Sequence, residues 1–224
     1  MYTPKHFAMD PDAVRGLLGS AETAQLVTAH AAGPQATLLP VLWRSGGDGG
    51  WGSLVFHVTR VNPVWKDPGL GQALAILSGP DAYIDPTWYA SHADAPGVPT
   101  WNYVTVHARG TLVVRDDPVW VREAAFELSE RFGYDAGQMD SEATERMLRA
   151  IVGLELPVTE VEAKAKLSQN RSPEDIGGVI AGLHRAGDHD IAAAMEQVSL
   201  PHAQERYTLL TQVRGRHLGN LRPG

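Results

Sequence analysis

Three groups of residues in this 224-residue chain have the types and spacing to hold a ligand. In the first, Thr59-Arg60-Val61-Asn62-Pro63-Val64-Trp65-Lys66 sets a guanidinium, an amide and an ammonium around Asn62-Pro63. Asparagine there can cap a helix whose first position is proline. A helix start adds N–H donors and partial positive charge, so the group suits a phosphate; a solvated surface turn explains it equally well. In the second, Trp88-Tyr89 and Trp101-Asn102-Tyr103 offer four aromatic rings and an amide to a flat heteroaromatic molecule. The plainer reading is a core tryptophan beside a turn asparagine, since tryptophan is mostly buried. The third, Lys166-Leu167-Ser168-Gln169-Asn170-Arg171, holds five polar side chains in six residues. Between a strand and a capped helix this exceeds what a connector requires, although a loop serving only to deliver Ser172 as a cap is the alternative.

Other chemistries find less support. Without cysteine there are no disulfides, thiolate nucleophiles or cysteine-held metal centres. Among nine histidines only His184 and His189 approach ligand spacing, with no carboxylate constellation in the sequence around them, so no metal site is expected. Gly46-Gly47-Asp48-Gly49-Gly50 is not followed by Gly-Lys-Ser/Thr and reads as a hairpin tip. No Gly-x-Ser-x-Gly elbow occurs, which argues against a hydrolase. His57, His107 and Tyr103 qualify for proton transfer by residue type alone, so catalytic residues stay unassigned.

The formal charge of −7 disfavours a nucleic-acid clamp. Basic residues gather only near the end, at Arg206, Arg214, Arg216 and Arg222 with His217, opposed by Glu205. Four dispersed arginines make a weak electrostatic footprint, so direct DNA binding ranks low. No run approaches the ~20 apolar residues of a membrane span. Met1 to Phe7 lacks the apolar core of a secretory signal, and a cytoplasmic location is expected.

The elements that must position these groups follow from punctuation and period. Asp10-Pro11 starts a helix ended by Gly19. Strands are expected over 24–31, 35–43 (with Pro40 marking an edge or bulge), 54–58 and 73–77, with Ser78-Gly79-Pro80-Asp81 as a turn before the aromatic cluster of 83–89. Val98 to His107 alternates with Val104 and Val106 on one face and Tyr103, Thr105 and His107 on the other, a period-two strand. Gly110 to Arg115 continues the sheet. Asp117-Pro118 and Ser141 open helices, Leu154 to Ala163 returns to alternation, and Ser172-Pro173 opens a helix with the stripe Ile176, Val179, Ile180 and Leu183. A short helix over 191–198 follows. Consecutive strands with short turns argue for an antiparallel sheet that closes to protect its edges, a small barrel.

Five segments in order, namely Asn62 to Trp65, Gly79 to Ile84, Trp88-Tyr89, Val98 to His107 and Lys166 to Arg171, together with Gly178-Val179-Ile180, resemble the PaiB family of FMN-binding negative transcriptional regulators. The resemblance runs from Met1 to about Leu183. It implies a mainly β chain with helices: an FMN-binding split β-barrel like that of pyridoxamine phosphate oxidases over 1–165, and a loop with C-terminal helices over 166–224. It implies a homodimer with the flavin site between subunits, and repression of sporulation and protease genes. Carried over by motif order, the cofactor residues are Leu38, Leu39, Pro40 and Val41 at the ring, Arg60, Asn62 and Lys66 at the phosphate, and Trp88, Trp101 and Asn102 on the partner or substrate side. Lys166, Ser168, Gln169, Asn170 and Arg171 would close the site. The chain departs from the expected pattern at Ala163-Lys164-Ala165, where an aromatic is expected before Lys166. Because charge and the absence of a helix-turn-helix disfavour a direct repressor, regulation is expected to act indirectly. A flavin-dependent oxidoreductase of the pyridoxamine phosphate oxidase-like class is the alternative, and a cofactor-free interaction protein the third.

Overall fold

Asp10 accepts from the N–H groups of Asp12 and Ala13, and Pro11 fills the first position, so α1 runs Pro11–Ser20 as its cap dictates. The computed structural model describes residues 1–219 apart from 48, 49, 68, 70, 139 and 140. Part of the expected glycine-rich tip (Asp48, Gly49), Arg222, and the side chains of Arg214, Arg216 and His217 lie outside the described residues.

Among the described residues the strands are, in chain order, β1 Thr23–His30, β2 Gly33–Pro40, β3 Leu42–Arg44, β4 Ser53–Thr59, β5 Gln72–Ile84, β6 Thr100–Thr111, β7 Val113–Arg115, β8 Ile151–Pro157 and β9 Glu160–Lys166. The helices are α2 Pro118–Arg131, α3 Ser141–Arg149, α4 Pro173–Ala186, α5 His189–Ala194 and α6 Leu200–Gly219, with a π turn at Met195–Ser199 between the last two.

The expected split barrel is not what the strands build. They form two antiparallel sheets, ordered β2-β1-β5-β6-β9 and β3-β4-β8-β7, that do not close, and the chain holds as much helix as strand. The fold is therefore mixed α/β. Closure is one way to protect an edge, but these edges are protected in another. β2 begins Gly33-Pro34 and ends at Pro40, while β9 alternates Glu160, Glu162, Lys164 and Lys166 along its length. Prolines and charges blunt an edge strand without closure.

Three boundaries also differ from the sequence reading. Ser78 to Asp81 does not turn; β5 runs through it. β1 pairs only with Leu74 to Ile76 of β5, so Pro80 forfeits no ladder bond to β1. The alternation expected over 154–163 divides into β8 and β9, and β8 opens three residues earlier, at Ile151. Asn62-Pro63 starts only a three-residue 3-10 turn, Pro63–Trp65.

The chain packs into two units. The first comprises Met1, Asp10–Ser78 and Thr105–Ala163. Its buried residues include Leu26, Leu54, Phe56, Leu154 and Leu156, and Trp120 of α2 packs with Leu42, Val55, Ala124 and Leu128. The second comprises Tyr2–Met9, Gly79–Val104 and Lys164–Gly224. Its core gathers Ile84, Tyr89, Leu167, Ile176, Val179, Leu183, Ile191 and Met195. Among the described residues no helix is long and apolar enough to cross a membrane.

Candidate functional site

Within the first unit, Arg60 leaves the end of β4 and its backbone N–H is held by Ala150 O at 2.9 Å. Its planar fork meets both oxygens of Asp116, at 3.1 and 2.5 Å, and its Nε donates to Arg149 O at 2.7 Å. The hydrogen bond from Arg60 holds the Asp116 carboxyl below its ordinary value, and the same bond raises Arg60. Both side chains are substantially exposed, so solvent screening leaves the pair little net stabilisation and its main effect is to orient the guanidinium.

Arg60 lines a cavity of about 320 Å³ with Asp116, Val119, Arg122, Leu148 and Arg149 among its walls. Arg122 is paired with Glu145. Among the described residues the Arg149 guanidinium has no hydrogen bond or ion pair, so its donors are unspent. Trp65 joins Lys66 to the cluster: its indole donates to Arg60 O at 2.9 Å, and Arg60 and Lys66 lie 5.9 and 5.6 Å from its ring centroid. The first predicted group is thus brought together, with one change of role. Asn62 spends its side-chain oxygen on Val64 N–H at 3.0 Å, and a three-residue turn offers no helix dipole.

A second cavity of about 220 Å³ shares Leu148 with the first; His57, Ala125, Phe126, Met147 and Ile151 are among its other walls. Ser129, also present, spends its hydroxyl on Ala125 O at 2.8 Å. Burial pushes His57 below its ordinary value, so its imidazole is neutral near pH 7. A cationic cavity beside a largely apolar one with a single imidazole fits a molecule with a phosphate at one end and a heteroaromatic ring at the other. Of the four residues expected at such a ring, three at the end of β2 and Val41 just after it, Leu39 and Val41 are buried, Leu38 is exposed, Pro40 has no N–H, and Val41 N–H is spent on Glu22 O at 3.0 Å.

In the second unit the remaining candidates divide into buried and outward-facing sets. Asn102 lies on the core face of β6 and is fully buried. Its Nδ2 donates to Ser168 Oγ at 3.0 Å and Met195 Sδ at 3.4 Å, while Ser168 Oγ lies 3.2 Å from Asn102 Oδ1. Gln169, also buried, accepts from Leu167 N–H at 2.8 Å and donates to Ala165 O at 2.6 Å. Ser168 has φ +65, uncommon for a residue with a Cβ, and these bonds hold it there. Trp88 is wedged against α4: a Cβ at Gly182 would come within 2.2 Å of its ring, and one at Gly178 within 2.2 Å of its carbonyl oxygen.

The outward set is Trp101, Lys166, Asn170 and Arg171. Trp101 is half exposed, donates to Asp81 at 2.7 Å and meets Tyr83 edge-on at 6.2 Å. Lys166 Nζ lies 2.5 Å from both Thr100 Oγ1 and Trp101 O, and burial, then Lys164, lowers it. Arg171 stacks over Tyr89 at 4.3 Å, and Asn170 is exposed. Trp88 and Trp101 therefore do different things, one packed on α4 and one reaching solvent.

The sequence reading missed Asp116, Arg149, Met195 as a partner of Asn102, and Ser199, whose hydroxyl donates to Leu167 O at 2.7 Å. Arg149 follows Arg60 by 89 positions, so no spacing rule links them. Asp116 was hidden beside the helix cap Asp117, whose oxygen accepts from Trp120 N–H.

A family model described as "Putative FMN-binding domain" matches residues 1–160. The chain is 28% identical over 190 residues to the "Protease synthase and sporulation protein PAI 2" of Bacillus subtilis, covering 82% of this chain and 89% of that protein. It is similar in fold to the structure of the FAD and heme binding protein from Mycobacterium smegmatis (TM-score 0.55, 19% identity, 72% of this chain and 74% of that one). It is also similar to a conserved hypothetical protein, Rv2991, from Mycobacterium tuberculosis (TM-score 0.51, 14% identity, 74% and 91%). At these identities the two structures speak to fold alone.

Proposed function

Because the chain belongs to this FMN-binding domain family, we propose that it is a flavin protein whose first unit holds the cofactor phosphate with Arg60, Arg149 and Lys66. The observation that carries this reading is the cavity at Arg60. An oriented guanidinium there stands beside a second arginine with unspent donors, next to an apolar cavity, and all lie in the segment the family model covers. Asp116 aims the Arg60 fork, Trp65 packs beneath Arg60 and Lys66, and Leu148 separates the phosphate end from the ring end. Bound FMN supplies one- or two-electron redox chemistry.

Similarity to a Bacillus protein named for protease synthesis and sporulation supports a regulatory reading, which we take to be repression exerted without a direct grip on DNA. The net charge of −7, and exposed acidic residues at the starts of α4 (Glu174) and α5 (Asp190), support the indirect route. A second reading, a flavin-dependent oxidoreductase, is favoured by His57, a neutral imidazole able to hold or pass a proton beside the ring cavity.

Titration of the flavin-free chain with FMN, followed by flavin fluorescence, tests the site. Wild type should bind, and Arg60→Ala should bind about tenfold or more weakly, the scale of losing hydrogen bonds to a charged group. Failure of wild type to bind FMN sinks the reading; equal affinities remove Arg60 from it. A mobility shift on promoter against scrambled DNA at physiological salt should show no preference, and a promoter-specific shift would overturn the indirect route.

A further inference from the structure

Beyond the family-matched segment, at the end of α4, two histidines face each other in a way a metal ion can use. Gly187, at φ +90, ends α4 with its N–H on the carbonyls of His184 and Leu183, and Asp188 N–H closes onto Leu183 O at 3.0 Å. This left-handed cap turns the chain sharply, so α5 opens at His189 close to the last turn of α4. His184 Nδ1 and His189 Nδ1 lie 3.1 Å apart with ring centroids at 5.4 Å, so the nitrogens meet edge to edge without stacking. On its other side, His184 Nε2 lies 3.0 Å from Glu196 Oε1. Glu196 belongs to the π turn Met195–Ser199, which is anchored by fully buried Met195 and by Ser199 Oγ donating to Leu167 O at 2.7 Å.

The Glu196 carboxylate can only accept, so it keeps a hydrogen on His184 Nε2. In that tautomer the Nδ1 lone pair of His184 faces His189, whose Nδ1–H can satisfy it. Shifting that one hydrogen to His189 Nε2 leaves two neutral imidazole lone pairs at the same place. Nitrogen ligands of a zinc-type ion, each ~2.0–2.1 Å from the metal, sit about 3 Å apart. A carboxylate behind a metal-binding imidazole fixes its tautomer and raises its basicity.

We propose that His184 and His189 form a two-imidazole site for a borderline divalent ion of the zinc, nickel or copper class, with Glu196 as its positioning residue and water completing the shell. Among the described residues no set of three or more histidine or carboxylate ligands converges on one point, so the site is open and its direct ligands are nitrogen. Nitrogen ligands select against magnesium and calcium, which require oxygen. The inference is independent of the flavin reading.

Titration of the full chain with ZnCl2 against a chromophoric chelator tests it. Wild type should take up one saturable equivalent that excess MgCl2 does not displace. His184 and His189 are exposed, so His184→Ala and His189→Ala should keep their far-ultraviolet circular dichroism and lose that equivalent. His202→Ala, on α6, should keep it. Glu196→Gln should retain the stoichiometry with about tenfold weaker affinity. With CuCl2, nitrogen hyperfine structure from two imidazoles should appear in the wild-type electron paramagnetic resonance spectrum and collapse in either histidine variant. Indistinguishable titrations of wild type and His189→Ala would overturn the site, and an unweakened Glu196→Gln would overturn the role of Glu196.

Discussion

Asn102 shows how one residue can be singled out for one reason and used for another. Its type and its place beside Trp101 suggested a ligand contact, yet the two alternate on a strand, and alternation sends one inward and one outward. Asn102 takes the face of Val106 and Ala108, and a buried amide must find partners. It finds Ser168 and Met195, and so pins the loop that carries Lys166 and Arg171. Asn102→Ala should therefore destabilise the chain by about 1–3 kcal/mol, the cost of stranding a buried hydroxyl, as read by urea unfolding. A loss below ~0.5 kcal/mol would show that Ser168 holds φ +65 without it.

At the scale of elements, α4 illustrates how neighbouring glycines carry opposite meanings. All are unfavourable in a helix interior by ~1 kcal/mol against alanine. At Gly177 a Cβ would meet nothing within 4 Å, so Gly177→Ala should stabilise by about 0.5–1 kcal/mol. At Gly182 a Cβ would fall 2.2 Å from the Trp88 ring, and overpacking of ~1–3 kcal/mol outweighs the gain in propensity. Gly182→Ala should lower the melting temperature, and should be less than additive with Trp88→Leu. Additivity would mean that the two do not meet. The start of α4 was legible from Ser172-Pro173, because capping is local; the wedge of Trp88 on its glycine face was not, because it joins residues almost a hundred positions apart.

For the molecule as a whole, long-range ion pairs tie stability to pH. Glu162 accepts from the amino-terminal ammonium at 2.6 Å and from Arg109 at 2.7 Å, and these bonds, in that order, hold its carboxyl at about 2 against an ordinary 4.5. A lowered folded-state value stabilises fully above the unfolded value and is lost as pH falls through the folded one. The difference in urea midpoint between wild type and Glu162→Gln should thus be present at pH 6 and shrink steadily between pH 4.5 and 2. A gap that stays constant with pH would sink this account. By itself the sequence determined the helix caps at Asp10, Asp117 and Ser172, the inward face of β6 and the family resemblance, because each rests on residues adjacent in the chain. Only the tertiary structure decided that the sheets stay open, that β5 runs through Pro80, that Arg149 and Asp116 meet Arg60, and that Glu196 stands behind His184. These depend on which distant backbone a strand or turn is laid against, and no local spacing encodes that choice.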